Sequence, residues 1–176
     1  MWWLLFLLFG AAVDVGSLNT QCIYTAYEIK AIGRPQQKAE WKAPPTIRVC
    51  TDSGVSVSRT SHAIKYWEQL GYEFGGIVGD PFSMCMTPKH GEILITIPDG
   101  GFSNTHMAAT RLYTNTASGD IIKAKIQILP SNATKDRVLE HEIGHALGWT
   151  HYRQRYHIMH PTWKDGGYDS YGIRKR

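Results

Sequence analysis

The arrangement of histidines between residues 141 and 151 constrains this chain more than any other feature. His141 and His145 are four residues apart, so on a helix both imidazoles project from the same face. Glu142 follows the first histidine and can lean over a metal ion without binding it, as a general base requires. Gly148 can take the positive φ that ends a helix and turns the chain, which would bring back His151 as a third ligand. Three protein ligands leave a fourth position open, and an open position is typical of a catalytic rather than a structural zinc site.

The full pattern, HExxHxxGxxH, resembles the zinc signature of the metzincin metalloproteases. A second feature lies downstream, where Met159 follows His151 by eight residues and Pro161 comes two residues later. Metzincins carry a Met-turn beneath the metal. The spacing from His151 to Met159 and the sequence HEIGHALG are most similar to the matrixin (matrix metalloproteinase-like) branch. The resemblance is strong over residues 138–161, and the order of predicted elements extends it to residues 46–161.

The resemblance implies a zinc-dependent endopeptidase with one catalytic Zn²⁺. The metal ligands would be His141, His145 and His151. Glu142 would be the general base for a zinc-bound water, and Met159 would form an apolar floor that does not touch the metal. The substrate is expected to be a protein or peptide in extended form, added along an exposed sheet edge that residues 107–113 would provide.

Two alternatives remain open. One is a zinc hydrolase that acts on cell-wall peptides or on a single processing site. The other is a zinc-stabilised binding or structural protein without turnover. The intact Glu142 argues against this second alternative, whereas a fourth metal position filled by Cys22 or His157 would favour it.

The chain also departs from the matrixin pattern. A latency segment of the PRCGxPD type is not found, and Cys22 has the thiol without the flanking residues. Tyr152 follows the third histidine where many matrixins have Ser, and Pro161 stands where astacins place a metal-reaching Tyr. Trp163 and Tyr168 are candidate walls of a substrate pocket, but packing within a short lobe is the preferred interpretation.

Length and composition indicate one globular domain. The chain has 176 residues, of which 43% are hydrophobic, and a formal net charge of +4. This is enough for a sizeable core, and the charge pattern does not resemble a nucleic-acid-binding stripe. We expect a monomer.

The first residues predict export. Residues 1–17 contain an apolar run from Trp2 to Val13, which has the length of a signal-peptide hydrophobic region and is too short to span a bilayer comfortably. Because neither Lys nor Arg precedes this run, an uncleaved membrane anchor or a buried strand remains an alternative. We expect residues 18–45 to be an extended lead-in or a short pro-segment, and residues 46–176 to form the catalytic domain of a secreted protein.

The three cysteines allow at most one intramolecular disulfide. If the protein is exported, Cys50–Cys85 is the preferred pair and Cys22 is left over. Three buried thiols are the alternative.

Further metal sites are not supported by the sequence. His62, His90 and His106 could bind a second zinc, but the matching loop of ligands is missing and we expect surface histidines. A calcium site is not predicted, because clustered Asp and Asn residues are lacking.

The hydrophobic patterns predict strands and two helices in the order found in metzincins. Ser58 or Thr60 is expected to cap the first helix, and Asn132 or Thr134 the zinc-binding helix. The resemblance implies an α+β fold in which a twisted, mostly parallel sheet with one antiparallel edge strand packs on two main helices above a small C-terminal lobe. The predicted strands cover residues 46–50, 74–78, 93–97, 107–113 and 120–129, and the first helix covers residues 58–70.

Overall fold

The structure is a computed structural model that describes residues 33–81, 85, 87–99, 102 and 106–175. The apolar segment of residues 1–17, for which an export signal is predicted, lies outside the described residues, as does Cys22. Neither helix of the described part is both long enough and apolar enough to cross a membrane.

The described part of the chain has the predicted α+β fold, with five strands and two α-helices. The strands form one sheet in the order β2-β1-β3-β5-β4. The pairs along β2-β1-β3-β5 are parallel, and β4 runs antiparallel to β5 at the edge of the sheet. The elements are β1 (Thr46–Cys50), α1 (Val57–Glu68), β2 (Ile77–Asp80), β3 (Glu92–Thr96), β4 (Ala108–Thr114), β5 (Ile121–Ile128) and α2 (Val138–Ala146).

The main hydrophobic core lies between one face of the sheet and both helices. Successive strand residues point to opposite faces, so alternate positions of β1, β3 and β5 meet the helices. The strands contribute Ile47, Val49, Ile93, Ile95, Ala124, Ile126 and Ile128, and the helices contribute Ala63, Ile64, Trp67, Leu139, Ile143 and Ala146. On each helix these residues recur at intervals of three or four, which is the spacing of one helix face.

The opposite face of the sheet holds a disulfide and a buried ion pair. Cys50 and Cys85 are bonded, with a Cα–Cα distance of 5.8 Å, which confirms the preferred pair and excludes three free thiols. Two residues before Cys50 in β1, and so on the same face, Arg48 is 4% exposed and its Nε lies 3.1 Å from Glu92 Oε1. The backbone N–H of Lys89 also donates to that carboxylate at 2.8 Å. These bonds satisfy two charges that would otherwise be costly to bury.

The cap of the first helix lies two residues before the nearer of the two predicted caps. Ser56 is the N-cap residue, and its Oγ accepts a hydrogen bond from the backbone N–H of Arg59 at 3.0 Å. The prediction of Ser58 or Thr60 as the cap is therefore wrong. Thr60 is inside the helix, where its hydroxyl donates to the Ser56 carbonyl oxygen at 3.0 Å.

The start of α2 also differs from the prediction. Its N-cap residue is Arg137, which has a φ of 68° and makes no side-chain capping bond. Asn132 is used elsewhere, because its side-chain amide donates to the Met107 carbonyl oxygen at 3.1 Å. Caps at Asn132 or Thr134 are therefore wrong, since a short 3-10 turn at Pro130–Asn132 comes before the helix.

Strand β2 begins later than the predicted 74–78. Gly76 has a φ of 115°, which is outside the extended region and open mainly to glycine. Ladder pairing with β1 starts only at Ile77, opposite Ile47, and continues to Asp80. The predicted strand exists, but its position is set by the partner strand.

Candidate metal centre

The first two candidate ligands lie on α2, and a glycine turn leads to the third. His141 and His145 are one helical turn apart on the inner face of α2. The helix ends at Ala146, and Gly148 follows with a φ of 93°, as predicted. The backbone N–H of Gly148 donates to the His145 carbonyl oxygen at 2.8 Å, which closes the helix end and returns the chain so that His151 faces the other two histidines.

The three imidazoles converge through their Nε2 atoms. Nε2 of His145 lies 3.0 Å from Nε2 of His141 and 3.1 Å from Nε2 of His151, and the third side of the triangle is 3.3 Å. A metal ion at 2.0–2.1 Å from each nitrogen in tetrahedral geometry requires nitrogen–nitrogen distances of about 3.3–3.4 Å. The three histidines are thus positioned to hold one metal ion.

Hydrogen bonds at Nδ1, the other ring nitrogen, orient the imidazoles of His141 and His145. Nδ1 of His141 lies 2.7 Å from the Ile158 carbonyl oxygen, and Nδ1 of His145 lies 2.7 Å from the Trp149 carbonyl oxygen. Because a carbonyl oxygen can only accept, each Nδ1 carries the proton and each Nε2 presents a lone pair. Lone pairs that face one another at this distance repel unless a cation lies between them, so the chemistry of the donor set fits a metal ion.

Burial favours the neutral form of the three candidate ligand histidines. Burial lowers the pKa of His141 to about 4 and that of His151 to about 3, and it holds the pKa of His145 well below its usual value. Neighbouring positive charge lowers the pKa of His151 further. A metal ion would therefore not have to displace protons from these rings near neutral pH.

Glu142 is buried beside the ligands and belongs to a different hydrogen-bond network. Its side chain is 6% exposed, and the Thr110 hydroxyl on β4 donates to its Oε2 at 2.6 Å. Burial raises the pKa of Glu142 to about 7, and the bond from Thr110 acts in the opposite direction. A carboxylate whose pKa lies near the working pH can both take up and release a proton. The sequence pattern contains no sign of Thr110, because its position follows only from the packing of β4 on α2.

Met159 packs against α2 at Gly144. It is fully buried, and its sulfur lies where a side chain at Gly144 would be, beside the indole ring of Trp67. The neighbouring Ile158 supplies the carbonyl that orients His141. The turn that contains Met159 therefore packs beneath α2 and supplies the backbone acceptor that orients His141.

His157 is fully buried and its imidazole is occupied by other contacts. Its Nδ1 accepts from the Met159 backbone N–H at 3.0 Å, and its Nε2 lies 3.1 Å from the Tyr171 carbonyl oxygen. It therefore connects the Met159 turn to the C-terminal segment and is not part of the three-histidine group. Cys22, the other candidate for a fourth ligand, lies outside the described residues.

An extended segment before β1 packs on the C-terminal end of α2. The sequence predicts the extended segment but not its contacts with the helix. The last carbonyls of a helix have no partners within the helix. Here the Trp41 indole N–H donates to the Ala146 carbonyl oxygen at 2.8 Å, and the Gln37 side-chain amide donates to the Leu147 carbonyl oxygen at 2.9 Å. The backbone N–H of Lys38 donates to the Gly148 carbonyl oxygen at 2.9 Å. We call residues 36–41 the clasp.

The clasp also holds the chain that leads to His151. The backbone N–H of Thr150 donates to the Gln36 carbonyl oxygen at 2.9 Å, and its hydroxyl donates to the same oxygen at 3.2 Å. A side chain at Gly148 would collide with the backbone of Ala39. Because residues 18–45 show no clear periodicity, the sequence carries no signal for these contacts.

Two aromatic residues considered as pocket walls are exposed and contact residues that lie outside the C-terminal lobe. Trp163 is 46% exposed, and its indole N–H donates to the Asp136 carbonyl oxygen at 2.8 Å. Tyr168 packs against Tyr66 of α1, with ring centroids 5.7 Å apart. The ring of Tyr152 meets that of His157 edge-on.

Within the described part of the chain, His141, His145 and His151 form the one group of three or more potential ligands. His62, His90 and His106 are among the described residues but do not join such a group.

No protein-family model matches this chain, and comparisons with curated proteins and with solved structures find no match either. The geometry of the three histidines and Glu142 is therefore the basis for proposing what the site binds and does.

Proposed function

We propose that this protein is a zinc-dependent endopeptidase of the metzincin type, most similar to the matrixin branch. The proposal rests on one observation: three imidazoles converge, and a buried carboxylate, that of Glu142, lies on the helix that carries two of them. A purely structural site would need a fourth protein ligand and would have no use for a base.

Zinc is the metal that best suits these donors. Three neutral imidazoles in a tetrahedral arrangement with an open position are typical of catalytic zinc, whereas calcium and magnesium prefer oxygen ligands. Bound there, zinc would act as a Lewis acid that polarises a peptide carbonyl and makes water acidic enough to attack near neutral pH.

The proton transfers are assigned to Glu142. Its carboxylate accepts a proton from the attacking water, and the same carboxyl group then donates that proton to the nitrogen of the leaving amine. Its position one residue after the first candidate ligand and its burial support this role. His141, His145 and His151 hold the metal, and Met159 packs beneath them.

The substrate is proposed to bind extended along β4. This strand is at the edge of the sheet and pairs with β5 on one side, so its other side can pair with a peptide through main-chain hydrogen bonds. Thr110 in the middle of β4 contacts Glu142, which means that a peptide on this edge would lie close to the base.

Export to an oxidising compartment belongs to the same proposal. The Cys50–Cys85 disulfide supports it, because disulfides persist mainly in secreted and extracellular proteins. The signal segment in residues 1–17 remains a prediction.

The first test is digestion of a peptide library by the zinc-loaded protein and by Glu142→Ala. The wild type should cleave peptides and lose this activity with a chelator, while Glu142→Ala should bind one zinc per chain and cleave at least a thousandfold more slowly, since both proton transfers depend on this group. Metal content is measured by mass spectrometry on both proteins, and His145→Ala serves as the control that loses the metal.

The outcomes separate the alternatives. Equal cleavage by Glu142→Ala would contradict the proposed mechanism. Zinc binding without cleavage of the library, but with release of fragments from purified cell-wall material, would indicate the cell-wall hydrolase. Zinc binding with no turnover on any substrate, and a fourth protein ligand, would indicate a non-catalytic protein.

A further inference from the structure

Thr110 connects the edge strand to the candidate base. It lies on the inner face of β4 and is 6% exposed. Its Oγ1 is 2.6 Å from Glu142 Oε2 and 3.1 Å from the Glu142 carbonyl oxygen. A threonine hydroxyl has one hydrogen, and both oxygens only accept. The shorter contact to the charged oxygen receives that hydrogen, because charge-assisted bonds are the shorter and stronger ones.

This bond makes the two carboxylate oxygens of Glu142 inequivalent. Oε2 is held by a buried donor on a strand, which leaves Oε1 as the oxygen that can exchange a proton with water. A glutamate side chain has three rotatable bonds, and a rotation about any of them would move Oε1 away from the reacting atoms.

We propose that Thr110 is a positioning residue for Glu142, which fixes the rotamer of the base and presents its free oxygen to the reaction. The inference deepens the function proposed above and depends on it for the effect on turnover, whereas the bond itself can be tested without turnover.

The placement of Thr110 on β4 gives the bond a second consequence. Threonine is β-branched and has a restricted χ1, so its hydroxyl moves with the strand backbone. The strand proposed to pair with the peptide therefore also holds the base, and the distance between substrate and base is set by one rigid element.

Two substitutions separate the hydroxyl from the shape of the side chain. Thr110→Val keeps the branched shape and replaces the donor by a methyl group, which leaves Oε2 buried without its partner. Thr110→Ser keeps the donor and removes the methyl group. Thr60→Val is the matched control, because Thr60 is fully buried and its hydroxyl donates to the Ser56 carbonyl oxygen at 3.0 Å, away from the site.

With a peptide that the wild type cleaves, Thr110→Val should lower kcat about 10- to 100-fold, the range expected for loss of a hydrogen bond to a charged group. KM should stay within about threefold, because the hydroxyl does not contact the substrate. Thr110→Ser should recover kcat to within about threefold of the wild type, and Thr60→Val should keep the wild-type kcat. Each variant should bind one zinc.

The second readout is a double-mutant cycle on the metal-free protein. Urea unfolding midpoints are measured for the wild type, Thr110→Val, Glu142→Ala and the double variant. If the hydroxyl bonds to the carboxylate, the two midpoint shifts should be clearly non-additive, whereas Thr60→Val combined with Glu142→Ala should be additive.

Additive shifts for Thr110 and Glu142, or a wild-type kcat in Thr110→Val, would overturn the assignment, as would failure of Thr110→Ser to recover kcat. If the wild type cleaves nothing but the cycle is non-additive, the proposed peptidase function fails while the Thr110–Glu142 bond stands.

Discussion

Gly144 shows how closely α2 is packed. Gly144 lies between His141 and His145, and a Cβ built there would be 2.6 Å from Trp67 Cζ2 and closer still to the Met159 sulfur. Neither neighbour has room to move, since Trp67 and Met159 are both fully buried. The glycine is required here by close approach and not by backbone conformation.

Gly144→Ala should lower the free energy of unfolding by about 1–2 kcal/mol. Alanine gains up to about 1 kcal/mol in helix propensity, but overpacking in a full core costs about 1–3 kcal/mol, so the net effect is unfavourable. The measurement is urea denaturation of the metal-free protein.

The matched control is Gly33→Ala, because a Cβ at Gly33 would have nothing within 4 Å. Its free energy of unfolding should stay within about 0.5 kcal/mol of that of the wild type. A Gly144→Ala protein as stable as this control would show that Met159 does not occupy the space beneath the helix.

At the scale of elements, the clasp stabilises the end of α2 and the turn to His151. Its donors reach three successive carbonyls, those of Ala146, Leu147 and Gly148. Ala146 is fully buried, so water cannot replace the lost partner of its carbonyl, and an unsatisfied buried acceptor costs about 1–3 kcal/mol.

Trp41→Phe should therefore lower the free energy of unfolding by about 1–3 kcal/mol and speed the release of zinc to a chelator. Trp163→Phe is the control, because that indole also donates to a backbone carbonyl but is exposed, where water can take its place. Unfolding is followed by urea titration and zinc release by a chromogenic chelator. Equal behaviour of the two variants would contradict a role for the clasp.

At the scale of the whole molecule, the disulfide ties β1 to the segment that follows β2. Cys50 and Cys85 are 35 residues apart in sequence, and closing a loop of this length in the unfolded chain corresponds to about 3–4 kcal/mol. The bond lies on the face of the sheet opposite the ligands, so its loss should affect stability more than metal geometry.

The double variant Cys50→Ser/Cys85→Ser should be less stable than the wild type by about 2–4 kcal/mol and should still bind one zinc. Adding a reductant should lower the wild-type midpoint toward that of the variant and leave the variant unchanged, with Cys22→Ser as the cysteine control. A wild-type midpoint that does not respond to complete reduction would contradict the stabilising role.

Much of the fold could be predicted because its signals are local. Alternating apolar residues indicated β1 and β5, a continuous apolar run indicated β3, and the spacing of Ala63, Ile64 and Trp67 indicated α1. Boundaries and caps were less accurate: β2 is placed by its pairing with β1, and α2 begins at a left-handed Arg137 rather than at a capping side chain. Such ends depend on partners that are distant in sequence.

The sequence by itself determined the ligand pattern, the candidate base and the glycine turn at Gly148, because these depend on helical spacing and on backbone conformation within 11 residues. Only the tertiary structure decided that Thr110 bonds to Glu142, that the clasp closes α2, and that His157 is used in the Met159 turn. These contacts join residues from separate elements, so their geometry follows from how the sheet, helix and lobe pack, which local spacing does not encode.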